Sequence, residues 1–224
     1  MSVIGKLRME RECASIESPG RPGAGENPAK RDQILDGAGR VFITQGYDGA
    51  SMNDITKAAG VSKGTIYVYF NNKEELFAAL VTRQRERMFN AVSSLLEPDK
   101  PIEDVLYNFG MMFSRHMSSP TTITGMRMVL GVLDKLPEVA QAFLNVGPTR
   151  GAHVLQDYLA LKVSEGLLRI DDPLLAARQF GELCSAGLFK PALFGETAEQ
   201  PSEEELSYVV KSAINVFMKA YGVR

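Results

Sequence analysis

Three helix starts crowd into one short stretch of this chain, and they leave little freedom in what it folds into. Ser51 is followed three residues on by Asp54, the spacing of a capping box. Ser62 stands before a second helix-compatible run, and Asn72 with Glu75 makes a third capping pair. A helix opened at Ser51 must end before Ser62, and one opened at Ser62 must end before Asn72. The first spans little more than two turns and buries Met52, Ile55 and Ala58. Ala59-Gly60-Val61 makes the tight turn, and the next helix ends near Phe70. The helix from Asn72 has room to run to about Leu96, with Leu76, Phe77, Leu80, Phe89 and Val92 near one stripe and Pro98 as its stop. That is about 35 Å of helix, enough to join two domains.

The rest of the chain is helical in pattern. Ile34, Leu35, Ala38, Val41 and Phe42 share one face of a helix that Gly46 closes. Beyond Pro98, helical runs start near Pro101, Thr124, Pro137 and Pro148, with Pro120 breaking the first of them. Asp172-Pro173 opens "PLLAARQFGELCSAGLFKPALF" as one long helix, and Ser202 with Glu205 opens the last, which Gly222 closes. The expectation is an all-α protein of about nine helices. Residues 1–28, rich in Gly, Pro and Ser, are read as a flexible N-terminal tail whose removal leaves folding intact. Residues 29–75 form a three-helix head, and 76–224 a larger helical body.

Composition narrows the function. With 45% hydrophobic and 23% charged residues, a packed core is expected. No apolar run is long enough to span a membrane, and the charged N-terminus does not read as a signal peptide. Cys13 and Cys184 make neither a metal spacing nor a disulfide framework, so a reducing, cytoplasmic setting and no cofactor are expected. Two histidines and the absence of nucleophile-elbow, P-loop or HExxH motifs argue against an enzyme. A formal charge of −2 excludes nothing, since a binding face can be locally basic on an acidic chain.

Two short helices joined through Gly60 fit a helix-turn-helix, although an ordinary αα corner fits too. In the second, Ile66 and Phe70 face inward at i,i+4, while Ser62, Lys63, Gly64, Thr65, Tyr67 and Tyr69 supply an outer face of hydroxyls, aromatics and a lysine. Gly64 inside the first turn costs about 1 kcal/mol against alanine, and close approach to a DNA groove would account for it. Lys73 opposes the dipole of its own helix, which a phosphate bound at that N-terminus would offset.

The stretch "KRDQILDGAGRVFITQGYDGASMNDITKAAGVSKGTIYVYFNNKEELFAAL" resembles the DNA-binding domain of the TetR/AcrR family of transcriptional regulators. "LDKLPEVAQAFLNVGPTR" and "LQDYLALKVSEGLLRIDDPLLAARQFGEL" are similar to the regulatory domain of AefR-like members. The resemblance implies a repressor that binds a palindromic double-stranded DNA operator as a homodimer and is released by a small effector. By match to the motif, Thr44 and Ser51 hold phosphates, Ser62, Lys63, Gly64, Thr65 and Tyr67 face the groove, and Tyr69 and Lys73 contact the backbone. Val68 departs from the polar or aromatic residue often found there and offers an apolar contact such as a thymine methyl. Effector lining is expected from Met111, Met112, Phe113, His116, Met126, Phe143, Tyr158, Phe180 and Cys184, whose methionines and aromatics suit an apolar ligand, although each also reads as plain core. Apolar residues on more than one face of 173–194 and 203–221 suggest the dimer interface, with burial inside the monomer as the alternative. The competing function is a helical protein-interaction module whose helix-turn-helix is only structural.

Overall fold

The computed structural model describes residues 27–93, 95–137, 148–197 and 199–223, with backbone only for 85, 88–93 and 148–151. Among the described residues there are ten helices and no strand: α1 (Pro28–Gly49), α2 (Met52–Ala59), α3 (Lys63–Tyr69), α4 (Lys73–Ser93), α5 (Ile102–Met117), α6 (Pro120–Val132), α7 (Pro148–Ser164), α8 (Pro173–Cys184), α9 (Phe189–Phe194) and α10 (Glu203–Tyr221).

The local signals form as read. Ser51, Ser62 and Asp172 each accept a hydrogen bond from the backbone N–H three residues on, and Ser202 with Glu205 completes a capping box. Several boundaries differ. Pro120, expected only to break the helix before it, is the first residue of α6, which Ser119 caps and which ends at Val132. Asn27 and Pro28, expected in the tail, are the N-cap and first residue of α1. The run 173–194 is two helices, because Gly187 takes a left-handed φ of 74° and turns the chain between Cys184 and Phe189. The expected helix after Pro137 falls on 138–147, outside the described residues.

Two cores form. The first gathers Ile34, Leu35, Phe42, Ile55, Ile66, Phe70, Leu76 and Phe77 from α1–α4. Phe42, Tyr47 and Phe77 lie with ring centroids 5.0–5.9 Å apart. Leu76 and Phe77 thus belong to the head, although they lie beyond residue 75. Val129 and Val132 of α6 also sit in this core, so the body reaches into the head. The second core joins Leu106 and Phe109 of α5, Leu155 and Leu159 of α7, Phe180 of α8 and Phe217 of α10. The buried Lys162 ammonium donates to the Pro98 carbonyl at 2.6 Å and to Glu165 at 2.8 Å, which pins the α4–α5 connection to α7.

Candidate nucleic-acid interface

α1 holds α2 in place before α3 is set. A Cβ on Gly37 would come within 2.6 Å of the Ala59 backbone, so only glycine allows this close crossing. Gln33 donates to the Ala59 carbonyl at 2.7 Å and Arg40 to the Ala58 carbonyl, covering acceptors that the end of α2 leaves open. Gly60 then turns left-handed with φ 62°, and its N–H bonds the Lys57 carbonyl at 3.1 Å. Gln33, Gly37 and Arg40 were not expected as determinants. The available signal was a glycine on the same stripe as Ile34, Ala38 and Val41.

α3 leaves that turn with its inner side fixed and its outer side bare. Ile66 is fully buried, Phe70 is 2% exposed, and the Arg31 guanidinium lies 5.3 Å over the Phe70 ring. On the other side Lys63 and Gly64 are exposed, with Tyr67 at 45% and Val68 at 52%. An added Cβ on Gly64 would meet only Ser62 Oγ, at 3.9 Å, so nothing in this chain requires glycine there. Ser62 Oγ accepts from Thr65 N at 3.0 Å and lies 2.7 Å from the Thr65 hydroxyl. Ser62, Lys63, Gly64, Thr65, Tyr67 and Val68 therefore share one short helix and its cap.

The other expected contacts lie around this face. Thr44 is exposed, its hydroxyl donating to the Arg40 carbonyl at 2.7 Å. The exposed Ser51 hydroxyl caps α2 and bonds the Asp54 carboxylate. Tyr69 is half-buried against the head core. Lys73, in the first turn of α4, donates its ammonium to the Tyr47 and Ala50 carbonyls at 2.8 and 3.1 Å and lies 4.3 Å over the Tyr47 ring. The lysine covers acceptors at the end of α1, where a cation is favourable.

The expected effector residues fare differently. Phe180 and Cys184 are fully buried and Tyr158 is 5% exposed. Phe180 packs against Phe109 and Phe217 at 6.0 and 5.2 Å, and the Ser114 hydroxyl donates to the Cys184 carbonyl at 2.6 Å. Among the described residues, the Phe180, Cys184 and Tyr158 side chains are packed into the body core. Burial pushes the Cys184 thiol up to about 12; burial, then the Glu165 charge, pushes Tyr158 up to about 12. The Tyr158 hydroxyl is buried with no hydrogen-bond partner among the described residues. Met112, Phe113, His116 and Met126 are half-buried, with Phe113 stacked on Phe109 at 6.0 Å. Phe143 lies outside the described residues. Two open hollows of roughly 700 and 440 Å³ occur on the body, one between α5 and α10 and one between the α8–α9 turn and α10, and none of these candidates lines either.

A short, bare helix held by a glycine turn against two supporting helices defines a helix-turn-helix protein on an all-α body. Residues 34–80 match the model of bacterial regulatory proteins of the tetR family, and residues 104–223 match that of the AefR-like transcriptional repressor C-terminal domain. The chain belongs to the TetR family of transcriptional regulators. It is 42% identical over 71 residues to the repressor AcnR of Corynebacterium glutamicum, covering 31% of this chain and 38% of that protein. The chain spans about a third of the length of the curated relatives first matched. Whole-chain likeness comes from solved structures. A TetR-family regulator of Mesorhizobium loti superposes with a TM-score of 0.82 at 25% identity, covering 87% of this chain and 98% of that one. The flavonoid-responsive regulator FrrA gives 0.70 at 27% identity, covering 88% and 100%.

Proposed function

We propose that this chain is a transcriptional repressor that binds a palindromic operator as a homodimer and lets go when a small, apolar effector enters its helical body. It acts by binding, in the cytoplasm, without cofactor or catalysis. The observation that carries the reading is the outer side of α3, where Lys63, Gly64, Tyr67 and Val68 stand exposed on a helix anchored from behind by Ile66 and Phe70. Such a helix fits a major groove, with Lys63, Ser62, Ser51 and Thr44 supplying phosphate donors around it.

Dimerisation is supported by apolar side chains that α8–α10 leave in solvent. Phe194 is 82% exposed, Tyr208 76%, Leu175 50% and Val216 49%. A two-fold dimer through 173–194 and 203–221 would cover these faces and set two α3 helices about 34–36 Å apart. Release needs a path from body to head, and two contacts support one. α6 seats Val129 and Val132 in the head core and donates from Arg127 to the Leu193 and Ala192 carbonyls of α9, and the turn after it pairs Lys135 with Asp48 at 3.0 Å. α4 pairs Arg83 with Asp32 and Asp36 of α1 at 3.2 and 2.8 Å. A ligand that binds one arrangement of α4 and α6 better than the other shifts the head with it. The FrrA likeness makes planar aromatic compounds the first effectors to test.

Footprinting on the DNA upstream of its own gene tests the reading. Protection of a palindrome that fades steeply as salt rises supports it. Failure to bind any DNA, with a protein partner recovered instead, would favour the interaction module.

A further inference from the structure

We infer that Val68 selects a thymine in each half-site by packing against its 5-methyl group. This rests on the reading of α3 as the groove-entering helix and adds the base it reads. At 3.6 residues per turn, Gly64 and Val68 lie within about 20° of the line opposite Ile66, the residue that anchors α3. They form the crest of the helix, while Lys63 and Tyr67 stand on one flank and Thr65 on the other. The crest goes deepest into a groove, and the flanks face its walls.

Neither crest residue has a side chain that can hydrogen-bond. Gly64 brings no side chain and has open space before it, so the helix axis can come close to the base edges. Val68, 52% exposed, then presents its two methyl groups at the floor. Among the four bases, thymine alone shows a methyl group in the major groove beside its O4 acceptor, whereas the polar edges of the others would lose water to valine without a hydrogen bond or methyl contact in return. The branched side chain also has few rotamers to lose on contact. Polar flanks can hold phosphates and position the helix, but the central choice of base falls to an apolar contact.

The test uses the full chain and the palindrome it protects, with each thymine of the half-site replaced in turn by 2′-deoxyuridine, which keeps pairing and removes only the methyl. For the wild type, one position should weaken binding about fourfold per half-site, or about 15-fold when both halves are changed, the value of one buried methyl-sized group. Val68→Ala should bind the thymine operator more weakly and respond less than about twofold to the same replacement. Val68 is solvent-facing, so an unchanged thermal melt of the variant is expected. The inference is overturned if no deoxyuridine replacement weakens the wild type, or if Val68→Ala keeps the full penalty. If the wild type binds no palindrome at all, the repressor reading itself fails, which is a separate result.

Discussion

The head and the body of this chain are held together by different means. In the head, side chains from α1 and α4 bond directly to exposed helix ends: Gln33 to Ala59, Arg40 to Ala58, and Lys73 to Tyr47 and Ala50. Those bonds fix short helices that could not persist alone, and they leave the outer side of α3 free of any task within the chain. In the body, long helices close on Phe109, Phe180 and Phe217 through ring packing. The outer side of α3 is bare in the head, whereas the described part of the body packs Phe109, Phe180 and Phe217 ring against ring.

The strongest way to break the comparison is to truncate Phe180. As filled core, Phe180→Ala should cost about 3–5 kcal/mol in a urea melt. A loss below about 1 kcal/mol would mean that the ring borders a cavity, and the contrast between head and body would disappear. The next test lies in the head. Lys73→Ala removes a charged donor from the Tyr47 and Ala50 carbonyls and should cost about 1–3 kcal/mol of stability. Tyr67→Ala, on the bare side, should leave stability within about 0.5 kcal/mol while weakening operator binding on the order of tenfold. Equal stability losses in the two variants would show that Lys73 and Tyr67 do not divide support from contact.

What could be read from the sequence follows the range of each interaction. The caps at Ser51, Ser62, Asp172 and Ser202 were legible because each bonds a backbone N–H three residues away. The outer side of α3 was legible because Ile66 and Phe70 fix the phase of a single helix. The role of Lys73 was not, since its acceptors lie 23 and 26 residues back and a local view shows only a cation at the wrong helix end. Val129 and Val132 announce burial, but nothing local says that the core they enter belongs to the head. The break at Gly187 was hidden because a glycine inside an apolar run also reads as a tolerated helix residue. Phe180 and Cys184 looked alike as pocket or core, because both environments select the same side chains.

The smallest effect is also the most diagnostic, because stability and binding should move in opposite directions. Gly64 has helical geometry and open space where a Cβ would stand. Gly64→Ala should therefore stabilise the free protein by up to about 1 kcal/mol, the difference in helix propensity, seen as a higher melting temperature. If glycine is there to let the crest of α3 approach the base edges, the same methyl group must push the helix out of the groove and weaken operator binding. A variant that melts higher and binds less well would mean that this glycine serves the DNA rather than the fold. A variant that melts higher and binds equally well would move the close approach elsewhere along α3 and leave Gly64 without a role at the interface.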